Sequence, residues 1–140
     1  MSHLYFSVQA RNDAADRVTA RIDSGASAGR LKVYSGSRPA TPDDPPGLGN
    51  VLLADLPFAR PPFLAAVGGT AAGKTPLPSG VGLAIGIGSW FRVTDSAGAA
   101  VFDGAVGTTG TALIVNTVQF VTGVPVQVTA LSFSVPMTCP

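Results

Sequence analysis

The 140-residue chain contains no glutamate, and lysine occurs only at Lys32 and Lys74. Exposed faces of helical bundles are filled largely with Glu and Lys, so this shortage argues against an all-helical protein. The single histidine, His3, lies two residues from the start. No Ser-His-Asp or Cys-His arrangement can be assembled without that terminus, and no histidine cluster exists to hold zinc. One cysteine, Cys139, cannot form an internal disulfide and says little about compartment. No His or Lys neighbours it in sequence to favour the thiolate, so it reads as a bystander. Nine basic and eight acidic residues leave a formal charge of +1, without the basic stripe that docks on nucleic acid. No run approaches the ~20 apolar residues needed to span a bilayer. The most apolar window, Val81 to Ile87, is short and rich in glycine. The opening MSHLYFSVQARND lacks the basic start and apolar core of a signal peptide. The expectation is a soluble protein made in the cytoplasm, with neither a membrane nor direct nucleic acid as partner.

What the chain does have is punctuation. Seventeen Gly and twelve Pro cut it into short segments, the texture of a β-sandwich or barrel. Its length suits one domain, 1–140, able to bury roughly two thirds of its unfolded surface without disulfide or metal help. Leu4, Phe6 and Val8 alternate with Tyr5, Ser7 and Gln9, predicting a short strand. A helix over Asp13 to Asp23 follows, capped by Asn12 or Asp13, with Ala14, Val18 and Ile22 on one face and Gly25 as its stop. Asp13 and Arg17 stand at i, i+4, the favourable order for a surface pair. Arg30 to Tyr34 and Val51 to Leu56 read as strands, Leu31 and Val33 sharing a face.

Between them Ser35 to Asn50 carries four Pro and three Gly, a loop longer than the ~12 to 15 residues at which loops become functional or disordered. Asp43 and Asp44 read as a solvated turn within it. Pro57 to Phe63 is an extended arm: its three prolines bar it from a central strand, so Phe58 and Phe63 must pack on their own core, a sister subunit or a partner. GGTAAGKT, Gly68 to Thr75, matches the phosphate-loop pattern. A true phosphate loop needs a strand leading in and a helix starting at the Lys. Pro76 and Pro78 follow instead, so the segment reads as a mobile Gly, Ala and Thr loop, with nucleotide binding the sharper alternative.

WFRVTDSAGAAVFDGAVG, Trp90 to Gly107, spells a hairpin: an aromatic and β-branched arm, a turn at Asp95 to Gly98, and a return arm beginning at Val101 and Phe102. Asp95 and Asp103 read as its flanking turn residues and Trp90 as a buried aromatic. Leu113 to Val115 is apolar on both faces and so central. In VQVTALSFSV, Val126, Val128 and Ala130 share one parity and Leu131, Phe133 and Val135 the other. Such a slip at Ala130 and Leu131 marks a β-bulge or a strand changing sheets.

Four pieces, IDSGASAGRLKVYSGSRP, VLLADLPF, WFRVTDSAGAAVFDGAVG and GVPVQVTALSFSVP, occur in that order and together make up 58 of the 140 residues. Together they resemble a group of small β-rich proteins encoded among the virion structural genes of tailed bacteriophages. The resemblance implies decoration or cementing of the capsid, with a tail or fibre component as the near alternative. It implies location on the virion after synthesis in the host cytoplasm, the major capsid protein lattice as partner and a homo-oligomer, and it carries no catalytic residues and no cofactor. The expected fold is a single all-β domain, an antiparallel β-sandwich of jelly-roll type with one short N-terminal helix and extended segments at 35–50 and 57–63. The expected activity is structural rather than enzymatic. Candidate interface residues are Leu4, Phe6 and Val8 of the N-terminal strand, Phe58, Arg60 and Phe63 of the arm, and the loop Arg38 to Leu48. A sugar- or receptor-binding module would instead use Trp90, Tyr34 and Tyr5 as an exposed stacking platform.

Overall fold

A computed structural model of the chain describes residues 4–136, and residues 138 and 139 by their backbone. In chain order the elements are β1 (Leu4–Tyr5), α1 (Val8–Ile22), β2 (Arg30–Tyr34), β3 (Leu52–Pro57), β4 (Thr70–Ala72), β5 (Ser79–Val81), β6 (Gly86–Ile87), β7 (Trp90–Thr94), β8 (Ala100–Gly107), β9 (Leu113–Val115), β10 (Gln119–Phe120), β11 (Pro125–Ser134) and β12 (Thr138–Cys139). His3 and the Cys139 side chain lie outside the described residues.

The helix starts earlier than its apolar spacing predicts. Ser7, not Asn12 or Asp13, is the N-cap: its hydroxyl accepts from the Ala10 N–H at 3.1 Å, satisfying one of the orphan donors of the first turn. This capping bond takes Val8 into the helix and leaves β1 only two residues long. The buried stripe is Ala15, Thr19 and Ile22, one residue out of phase with the expected Ala14. Asp13 accepts from Gln9 Nε2 at 2.9 Å and forms no ion pair with Arg17 among the described residues. Asn12 and Asp16 are spent on docking instead, their side-chain oxygens accepting from the N–H groups of Gly69 and Ala66, both at 2.8 Å. The helix stops at Ile22, with Asp23 as C-cap.

The main sheet runs β3-β2-β7-β8-β9-β11-β4, with β5 also on β11. It curls, so that β5 comes to lie beside β3 and the Leu83 N–H donates to the Leu53 carbonyl at 2.8 Å. Two short pairs, β1 with β12 and β6 with β10, complete the strands. The expectation of an antiparallel sheet needs one correction, because β8 and β9 run parallel, Val106 opposite Leu113 and Gly107 opposite Ile114. The chain coils back over Thr108 to Ala112, through Gly110 at φ +69°. Side-chain alternation is the same for both strand directions, so the pattern could not reveal this. The slip in the last long strand is a real irregularity: the β11–β9 register shifts between Val128 and Ala130, turning Val128 and Leu131 to the same buried side.

Period two explains the core. Leu31, Val33, Phe91 and Val93 lie on one face of β2 and β7 and are fully buried. Across the strands Leu56, Leu31, Val93 and Phe102 stand in one register row. A series of aromatic contacts extends this core: Phe58 to Phe63 at 5.9 Å, Phe63 to Phe133 at 5.0 Å edge-on, Phe133 to Phe102 at 5.2 Å and Phe102 to Phe91 at 6.1 Å. Edge-on and tilted rings at these centroid distances are the favourable arrangements.

The arm at 57–63 therefore folds inward. Phe63 is 2% exposed and Phe58 is also buried, which corrects both as candidate interface residues: the arm leaves β3 at Pro57 and turns inward, and Phe63 pairs with Gly73 just beyond β4. Arg60 anchors it to the end of α1, its Nε donating to Asp23 Oδ1 at 2.7 Å and its other nitrogens to the carbonyls of Asp23, Gly25 and Ala26. A cation beside the last carbonyls of a helix is favoured by the helix dipole. Phe63→Ala should lower the unfolding free energy by about 3–5 kcal/mol, read by urea denaturation. Arg60→Ala breaks a partly exposed pair and should cost about 1 kcal/mol or less; equal losses would mean that charge, rather than ring packing, holds the arm.

Candidate functional site

A row of charged side chains lies on the face of the strand group β3-β2-β7-β8 opposite Leu31, Val33, Phe91 and Val93. In-register pairing sets Asp55, Lys32, Arg92 and Asp103 in one row, and Tyr34 and Trp90 in the next but one. Opposite charges directly across a strand pair stabilise the pairing. Arg92 grips Asp103 with both ends of its fork, Nε to Oδ1 at 2.7 Å and Nη2 to Oδ2 at 3.0 Å. Their side chains are only 7% and 1% exposed. Arg30 pairs with Asp55 at 2.9 Å. The Arg92 guanidinium also lies 5.4 Å from the centre of the Trp90 ring, within cation–π range. Trp90 stacks on Tyr34 with ring centres 4.5 Å apart and planes 15° from parallel. Its Nε1 has no hydrogen-bond partner among the described residues, so packing rather than a polar bond holds the indole.

This arrangement is chemically committed to itself. The Asp103 hydrogen bond holds Arg92 in its charged form still more firmly than usual, and a guanidinium bound at both ends by a carboxylate has little left for a ligand. Burial pushes the Tyr34 hydroxyl above its ordinary value of 10.0; the charge of Arg92 opposes this, and the carboxylates of Asp55 and Asp103 reinforce it. Tyr34 is thus a neutral packing residue across the physiological range. Beside the row, an open cleft of about 500 Å³ lies over Arg30, Lys32 and Asp55 and is walled by Ser27 and Ser96. Among the described residues, no group of three His, Cys, Asp or Glu is placed to hold a metal ion, and no helix is long and apolar enough to cross a membrane.

The residues singled out in sequence are dispersed. Trp90 and Tyr34 are both buried, at 2% and 9% exposed, while Tyr5 stands exposed in β1. The three do not form an exposed stacking platform. Asp95 is the turn residue expected, its Oδ1 accepting from the N–H groups of Ala97 and Ala99. Asp103 is not a turn residue but the strand partner of Arg92. The signal for that pair was in the hairpin, since strands folded about Asp95 to Gly98 bring 92 and 103 opposite once one residue is allowed for the bulge at Thr94. Asp43 and Asp44 are exposed in a turn held by Thr41, whose Oγ1 accepts from the Asp43 N–H.

Gly68 to Thr75 is neither a phosphate loop nor a mobile loop. Val67 and Thr70 exchange backbone hydrogen bonds around Gly68 and Gly69, whose φ values of +61° and +80° are those of a primed two-residue hairpin turn. The chain then runs as β4 along β11, and the Lys74 N–H donates to the Pro62 carbonyl at 3.0 Å. A strand stands where the phosphate-binding pattern requires a loop running into a helix.

Of the interface candidates, Leu4, Phe6 and Val8 are exposed, Arg60 is bound to the end of α1, and Phe58 and Phe63 are in the core. No family model, curated protein or solved structure matches this chain.

Asp103→Ala would leave Arg92 buried without its counter-ion and should cost about 3–5 kcal/mol, measured by chemical denaturation at neutral pH. For Tyr34 the sign follows from its raised pKa. The unfolded chain loses this proton first, so stability is intact below about pH 10 and falls as the pH climbs from there through the folded-state pKa. Tyr34→Phe should remove that alkaline decline while leaving other titrations in place, as followed by thermal melts against pH.

Proposed function

We propose that the chain is a structural virion protein of a tailed bacteriophage that decorates and cements the outer surface of the capsid, with a tail component as the neighbouring role. The observation that supports it is a pair of elements that hold apolar side chains outward in preset conformations. One is the N-terminal segment, where Leu4, Tyr5, Phe6 and Val8 are exposed, Tyr5 at 74%, although β1 is paired and Ser7 caps the helix. The other is the loop at 35–50. Asn50 ties it by donating to the carbonyls of Ser35 and Ser37 at 2.8 and 2.9 Å and accepting from the Gly47 N–H, which leaves Leu48 fully exposed at its tip.

Surfaces already ordered lose little entropy on docking, and modest contacts repeated over a symmetric lattice add through avidity. In this reading the protein works by stoichiometric binding to the major capsid protein lattice, without catalysis or a cofactor. Its curled sheet is in finer terms a β-sandwich of jelly-roll type. It is made in the host cytoplasm and resides on the virion.

Purified heads incubated with the purified chain should bind it in a fixed ratio to capsid subunits, counted by quantitative mass spectrometry. Leu4→Asp combined with Phe6→Asp should cut occupancy at least tenfold with the melting temperature nearly unchanged. No binding to heads or tails by the folded wild type would overturn the proposal.

A further inference from the structure

Val81 to Gly88 is a strand-like segment turned inside out. Large and small residues alternate along it, and in an amphipathic strand the large apolar set ordinarily faces the core. Here Val81, Leu83, Ile85 and Ile87 are all exposed, Ile85 at 72%, while the intervening positions face the protein. Space enforces this. A Cβ on Gly86 would stand 3.0 Å from Leu53 Cδ2, one on Gly88 would stand 2.6 Å from Phe120 Cε2, and one on Gly82 would meet the Val121 carbonyl. The segment cannot slip by one residue to hide its large side chains, because the packed interior beneath has no room for them.

The exposed set is continuous with a second turn. The Gly82 N–H donates to the Val124 carbonyl and the Gly123 N–H to the Gly82 carbonyl, both at 2.9 Å, which brings exposed Val121 and Val124 alongside. No charged residue occurs between Lys74 and Arg92, and none follows Asp103. The strands β5, β6, β9, β10 and β11 come wholly from these two stretches.

We infer that this face is the contact by which two copies of the chain associate, face to face about a two-fold axis near Ile85. Its make-up is one ground: six aliphatic side chains stand 37% to 72% exposed around two adjoining turns, the kind of apolar patch that marks an interaction site. Charge is the other. A partner bringing a charge to this face would bury it without a counter-ion, which is costly, so the occupant must itself be uncharged over a matching area. The same face on a second copy meets that requirement, a two-fold axis sets an isologous patch on itself, and homodimer interfaces are the more apolar class. This contact is separate from the lattice-facing elements proposed above and does not depend on them.

The test is sedimentation equilibrium of the purified full chain over a wide concentration range, with no particles present. The wild type should associate as a dimer. Ile85→Asp should weaken self-association at least tenfold, and Ile85→Ser, which removes apolar surface without adding charge, should act in the same direction, so a folding defect peculiar to aspartate does not decide the result. Leu48→Asp, outside the face, should leave the dimer intact. Circular dichroism confirms that each variant is folded. A wild type monomeric throughout, or a dimer indifferent to both Ile85 variants, overturns the inference. Either outcome leaves particle occupancy, the readout for the proposed function, to be judged on its own.

Discussion

The contact between Phe63 and Phe133, two rings meeting edge-on at 5.0 Å, is the joint on which much of the structure depends. Phe63 belongs to a proline-rich segment that leaves the sheet after Pro57 of β3 and meets it again where Phe63 stands opposite Gly73, and Phe133 to the strand that carries β9, β4 and β5. Through Phe58 on one side and Phe102 and Phe91 on the other, the rings tie the arm to β11, β8 and β7. The same arm delivers Arg60 to the carbonyls at the end of α1. Ordering the arm thus also orders the helix end, and its burial is worth more than the area of its two rings.

Charge is distributed very unevenly over the molecule. All three ion pairs among the described residues, Arg30–Asp55, Arg60–Asp23 and Arg92–Asp103, lie in the part of the chain up to Asp103. The buried Arg92–Asp103 pair costs desolvation that its two short hydrogen bonds offset, and its geometry suits one register of the β7–β8 hairpin alone. The part built from Thr75 to Phe91 and from the residues after Asp103 has no charge to specify register. There, backbone ladders and close packing against glycine do that work, and large aliphatic side chains are left outside.

Much of the fold was legible because period two carries over directly from sequence to sheet. Leu31 and Val33 share a face as their spacing predicts, the Trp90 to Gly107 hairpin turns on Asp95, and the parity slip near Ala130 is a register shift one residue earlier. The helix start was not legible, because five alternating residues from Leu4 to Val8 fit a strand equally well until the Ser7 hydroxyl is seen to cap the Ala10 N–H. The apolar window at Val81 to Ile87 was visible as composition. That its large residues point outward was not, since alternation names two faces without saying which one is inside.

By itself the sequence determined the β class, a single short helix, the central hairpin and the two long Pro-containing segments. Each follows from local chemistry: absent Glu, abundant Gly and Pro, and side-chain alternation. Only the tertiary structure decided the parallel β8–β9 contact, the inward fold of Phe58 and Phe63, the pairing of Arg92 with Asp103 and the hairpin at Gly68 and Gly69 in place of a phosphate loop. Each of these depends on which distant segment occupies the neighbouring space. Strand direction and the identity of the buried face are properties of that packing, and residue type constrains them only through the room that neighbours leave.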